Sequence, residues 1–202
     1  MPLVRAKFRY LTISNNDHNL DLETSFGGKD QILNWILIAT DFSESTQTGG
    51  EYVYGAPYYN QAMQMFKLSQ VLQDYGPPSK VLIWAPLDKV YPKPFDILLD
   101  YSKSGFMVGY SMPEKRKEET VIGCPSQAHI YFWLWSLEQD MSMAEILSKN
   151  SMGPFDPISI LYFKPVEEAT KMTQDEFLMK FKVDGNNLCI ETPSKGWDAP
   201  WN

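Results

Sequence analysis

Two histidines and two cysteines are all that the 202 residues supply of the side chains most used to hold metals and build nucleophiles. His18 stands in the turn Asn15-Asn16-Asp17-His18-Asn19, and His129 lies in an aromatic, strand-like run where a hydrogen-bonded structural histidine is the plain reading. Cys124 and Cys189 have no Cys-x-x-Cys spacing and no neighbouring histidine, which argues against zinc and thioredoxin-type sites. They are either buried thiols or a single disulfide. Basic residues are also scarce. The chain has 18 Lys and Arg against 25 Asp and Glu, a net charge of −7, and no basic stripe, so nucleic acid is not an expected partner. No apolar run reaches the ~18 residues that a membrane span needs, so no transmembrane segment is expected.

Catalytic signatures are missing as well. There is no Gly-rich phosphate loop, no dinucleotide fingerprint and no His-Glu-x-x-His, and no cofactor is expected. Gly109-Tyr110-Ser111-Met112-Pro113 lacks the second glycine of a nucleophile elbow and ends at a proline instead of opening a helix. Asp17, Asn19 and Asp21 have the spacing that opens a calcium loop. Leu22, however, stands where that loop needs glycine and Gly28 where it needs a bidentate glutamate, so no metal site is expected. Glu167 and Glu168 read as acidic residues in the first turn of a helix, where they favour the helix dipole. The opening residues, Met1-Pro2-Leu3-Val4-Arg5, carry neither an export leader nor a lipobox cysteine. The expectation is a cytoplasmic protein, or an exported domain whose signal lies outside this chain.

What the chain does have is apolar and aromatic mass: 44% of residues are hydrophobic and 14% aromatic. A chain of this size buries roughly 70% of its unfolded surface, so a true core is available. Residues 66–84 organise it. Leu68, Val71, Leu72 and Tyr75 repeat at helical spacing, Gly76 offers a left-handed cap, Pro77 and Pro78 block continuation, and Val81-Leu82-Ile83-Trp84 reads as a strand.

Residues 4–14 and 20–26 alternate as half-buried strands, Gly27-Gly28-Lys29-Asp30 reads as a connection, and 32–39 as a third strand, giving an antiparallel meander. Residues 41–50 are polar and turn-rich, a candidate boundary between 1–50 and 51–202, though the two can belong to one domain. Residues 95–101 and 105–110 read as a hairpin across Ser102-Lys103-Ser104, 114–119 as a solvated charged loop, and 128–135 as a buried strand. Ser142-Met143-Ala144-Glu145 and Thr173-Gln174-Asp175-Glu176 are two capping boxes, each starting a helix. Residues 187–191 read as the last strand, and the tail from Trp197 packs by its tryptophans or frays. The fold class is α+β: an antiparallel sheet with short helices packed on it, in weakly repeated helix-then-strands units.

Residues 71–81, the 95–110 hairpin, Cys124-Pro125 and Phe132-Trp133-Leu134-Trp135-Ser136 together resemble a class of uncharacterised bacterial envelope lipoproteins over residues 51–191. More distantly, the helix, Gly-Pro turn and antiparallel strands are similar to the small α+β units of BamE and β-lactamase-inhibitor proteins. The resemblance implies no catalytic residue. It implies a non-enzymatic binding or scaffolding protein of the cell envelope, with a protein or carbohydrate partner. A small intracellular inhibitor or immunity-type protein, or an enzyme of another class, are the alternatives. An exported domain of this kind would hold Cys124 and Cys189 as a disulfide, which requires α-carbons about 4.4–6.8 Å apart. Tyr52, Tyr54, Tyr58 and Tyr59 crowd one connection, either as a binding surface or as cover for a sheet edge.

Overall fold

The computed structural model describes residues 4–10, 21–29, 32–41, 64–86, 94–139, 142–149, 155, 159–184 and 188–197. The apolar spacing in the middle of the chain forms helix α1 (Leu68–Tyr75). Leu68, Val71 and Leu72 are buried. Tyr75 ends the same stripe 53% exposed, with its ring 4.8 Å from that of Phe106. Lys67, at the start of α1, makes no capping hydrogen bond with its side chain. Two tyrosine hydroxyls from the sheet bracket the helix instead, Tyr110 donating to the Phe66 carbonyl at 3.0 Å and Tyr101 to the Gly76 carbonyl at 2.7 Å.

Gly76 ends the helix at φ 71 and ψ −157, so the positive φ is present but the expected left-handed cap is not. Pro77 is the cause. A proline ring clashes with a helical ψ on the residue before it, so Gly76 turns to an extended ψ, a combination essentially confined to glycine.

The strands before α1 are β1 (Val4–Tyr10), β2 (Asp21–Lys29) and β3 (Ile32–Asp41), an antiparallel meander. Gly27 and Gly28 do not form the connection expected of them. β2 continues through them to Lys29, with a shift of register between the two glycines, the bulge that residues without side chains tolerate. After α1 come β4 (Lys80–Trp84), β5 (Phe95–Tyr101), β6 (Phe106–Met112) and β9 (His129–Trp135). β5 and β6 form the expected hairpin, reached through Gly105 in the left-handed conformation at φ 75. The two-residue β10 (Lys164–Pro165) completes an antiparallel sheet of order β1-β2-β3-β9-β6-β5-β4-β10. β3 pairs with β9 from Trp35↔Trp135 to Ala39↔Tyr131, so the N-terminal meander continues the main sheet.

Residues 114–119 are not a loop. β7 (Glu114–Lys117) and β8 (Thr120–Gly123) pair as a hairpin, and β11 (Ile190–Pro193) adds to β8 to make a second sheet of order β11-β8-β7. Charge concealed β7 because it lies at an edge, where lysine and arginine are the usual protection against unwanted pairing. The last strand runs two residues beyond the expected Glu191, since an edge strand accepts Pro193 at its end.

Alternation along β5, β6 and β9 divides the core into two layers. On one face Phe95, Ile97, Leu99, Phe106, Val108, Tyr110, Ile130 and Phe132 meet α1, together with α3 (Val166–Thr170) and α4 (Gln174–Asp184). On the other, Leu98, Met107, Trp133 and Trp135 meet Ile146 and Leu147 of α2 (Met143–Lys149), along with Phe155. Both capping boxes form. Ser142 and Thr173 donate their backbone N–H to Glu145 and Glu176 at 2.8 Å, and accept the returning N–H on their hydroxyls at 3.3 and 3.2 Å. Glu167 and Glu168 occupy the first turn of α3.

Candidate functional site

On the second face of the sheet, register assembles a polar row that the chain order does not show. Asp96 on β5 lies opposite Ser111 on β6, and Ser111 lies opposite His129 on β9. All three belong to the face that carries Leu98, Met107 and Trp133, because side chains alternate along each strand. Burial decreases along the row: Asp96 is 0% exposed, Ser111 6%, and His129 is partly exposed. Among the described residues neither carboxyl oxygen of Asp96 has a partner that meets hydrogen-bond geometry, although the Ser111 hydroxyl lies close enough to act on it. Burial pushes its carboxyl well above the usual carboxylate range, and the neighbouring Ser111 hydroxyl opposes this only in part. Trp84 stands opposite Asp96 on β4 and packs against Phe163 at 5.8 Å between ring centres.

The row does not work as a nucleophile relay. In a serine relay the imidazole sits between hydroxyl and carboxylate, so that it takes the proton while the acid orients it. Here serine is in the middle, and burial of the acid beside it raises the affinity of that acid for its own proton, which opposes its use as a base. Burial in an apolar wall favours the neutral carboxylic acid, which can both donate and accept, over the carboxylate.

On the opposite face runs an aromatic ladder. Tyr101 stacks on Phe106 at 4.6 Å, Phe106 on Phe132 at 5.4 Å, and Phe132 meets Phe66 at 5.4 Å. Tyr75 opens one end of this ladder to solvent, and burial pushes the Tyr101 phenol up from its ordinary value.

The two cysteines form a disulfide, Cys124–Cys189, with α-carbons 4.2 Å apart. The separation is just below the expected range, and the ladder explains it. Ile190 pairs with Gly123, so the cysteines are the next pair along β8 and β11, at the close approach of a non-hydrogen-bonded antiparallel pair. The bridge ties the second sheet together where Thr192 donates to the Ala169 carbonyl at 2.5 Å and the buried Trp197 donates to Thr192 at 2.9 Å.

The chain matches no family model, no curated protein and no solved structure. Tyr52, Tyr54, Tyr58 and Tyr59, like His18, Asp17 and Asn19, lie outside the described residues. Among the described residues no group of three or more His, Cys, Asp and Glu could hold a metal ion, and no helix is long and apolar enough to cross a membrane. Asp96 was not singled out by sequence reasoning. Its one signal is a charged residue set inside the apolar strand Phe-Asp-Ile-Leu-Leu.

Proposed function

We propose that this chain is a non-enzymatic binding module of the bacterial cell envelope, acting on a protein or carbohydrate partner. The observation that carries the reading is the bridge between its only two cysteines, since disulfides persist in oxidising compartments and are rare in the reducing cytosol. The same bridge disfavours the intracellular inhibitor. The polar row favours binding over catalysis, because its acid and hydroxyl are buried in the wall of the core where a substrate does not reach them. The partner surface in this reading includes the aromatic connection with Tyr52, Tyr54, Tyr58 and Tyr59, and Tyr75 at the open end of the ladder. Exposed tyrosine offers a large, rigid contact at small entropic cost.

Two measurements test it. Alkylation of free thiols in the intact native host, followed by fractionation, should find the chain with the envelope and both cysteines protected. A cytosolic chain with two reactive thiols would end the envelope reading. Co-sedimentation with isolated cell-wall polysaccharide, and cross-linking to envelope proteins, should capture the wild type at least tenfold better than a variant with Tyr52, Tyr54, Tyr58, Tyr59 and Tyr75 changed to alanine. Equal capture would remove the tyrosines from the binding surface.

A further inference from the structure

A carboxyl group buried without a hydrogen-bond partner is rare in native proteins, because each unsatisfied polar group forfeits its interactions with water. Asp96 is such a group: fully buried on β5, with neither oxygen in a hydrogen bond among the described residues. Ionised, it would be a bare charge in the core. Protonated, it is a small polar group that the core tolerates. Among the described residues the groups around it offer no full counter-charge. On β5 itself Asp100, on the same face, is also buried and accepts the Ser102 backbone N–H at 2.8 Å. On β4 the residue opposite is Trp84, and Lys80 stands at the far end opposite Asp100. On β6 and β9 the row continues through Ser111 to His129, with Tyr131 one pair further along. Lys164 of β10 directs its ammonium to the Gly196 carbonyl at 2.8 Å and to Glu168 at 3.7 Å. In the covering layer Glu145 is engaged with Ser142, while the Tyr162 ring packs against the core of the opposite face.

We propose that Asp96 is a proton-binding site built into the sheet, holding its proton while the second face is covered and releasing it only when water enters along Ser111 from the partly exposed His129. The folded protein then carries one proton more than the unfolded chain over the pH range between the two carboxyl equilibria. The folded-state value is raised, so the stability linked to this proton is complete below about pH 4, where the unfolded carboxyl is also protonated, and is lost as pH rises toward the folded-state value. Within that window the folding constant falls about tenfold for each pH unit. The inference is independent of the envelope reading, since it concerns folding alone.

Urea unfolding of the full chain at a series of pH values tests it in three forms: wild type, Asp96→Asn and His129→Gln. The wild type should lose stability as pH rises above about 4. His129→Gln should keep that slope and Asp96→Asn should lose it. An Asp96→Asn protein with the wild-type slope, or a wild type with no slope, would overturn the proposal. Carbon-13 NMR of wild-type protein labelled at aspartate carboxyls gives a test that needs no variant. One carboxyl carbon should keep its protonated shift to a higher pH than the ordinary aspartates, and a spectrum in which every aspartate ionises in the ordinary carboxylate range would equally overturn it.

Discussion

Adding one methyl group at Gly109 probes whether the second layer sits on the sheet as described. Gly109 is on β6 between Met107 and Ser111, and a β-carbon there would meet two ring atoms of Phe155 at 2.7 and 2.8 Å and one of Trp133 at 3.0 Å. Side-chain β-carbons essentially never approach that closely, so something must move. Neither ring has room, because Phe155 and Trp133 are both 0% exposed. Overpacking a full core costs about 1–3 kcal/mol, and the lower entropy of unfolded alanine returns about 0.4–1 kcal/mol. The net expectation for Gly109→Ala is a loss of about 1–2 kcal/mol. For a chain of this size that corresponds to a melting point lower by roughly 2–8 °C. Phe155→Leu withdraws the ring edge from the notch. It should destabilise by itself, yet the double variant should be more stable than the two losses added together, with a coupling of about 0.5–3 kcal/mol. Thermal and urea unfolding followed by circular dichroism measure all four corners of this cycle. Gly109→Ala as stable as the wild type, or strictly additive losses, would show that Phe155 does not fill the notch.

Gly76→Ala should cost about 1–3 kcal/mol by urea unfolding. The added β-carbon meets nothing within 4 Å, so the whole cost is conformational, and an unchanged midpoint would exclude the positive φ. Changing both Cys124 and Cys189 to alanine should lower stability by about 4 kcal/mol, the loop-closure value for partners 65 residues apart, and a loss below about 1 kcal/mol would mean the bridge closes almost no chain entropy. Thr173→Ala removes the hydroxyl that caps α4 and should cost about 1 kcal/mol, with the exchange of the Glu176 amide accelerated most. Exchange no faster at Glu176 than at mid-helix would argue that the cap contributes nothing local.

Features set by neighbours in sequence were legible, and features set by register were not. Ser142 with Glu145, and Thr173 with Glu176, announce their helices because each partner is within one turn. The β5–β6 hairpin was equally readable from two apolar runs around a short polar turn. β7 was hidden because an edge strand in water needs no apolar face, so Glu114-Lys115-Arg116-Lys117 looks the same as a loop. Gly27 and Gly28 were ambiguous, since glycine marks bulges as well as turns. The row Asp96, Ser111 and His129 joins three strands, and a slip of one residue in either pairing would dissolve it. The hydroxyls of Tyr101 and Tyr110 that hold α1 come from 25 and 44 residues away, beyond any local pattern.

β9 joins the β1–β3 meander to β6, and it is made late. While the ribosome extends the chain from Asp41 to Trp135 at ~5–20 residues per second, the outer edge of β3 waits roughly 5–20 seconds for its partner strand. A waiting strand edge is a template for pairing with another nascent chain. Through that interval the β1–β3 meander, about a fifth of the chain, is the part that another nascent chain can pair with. Insertion or truncation between β3 and β9 should change yield before it changes the melting point of the molecules that do fold.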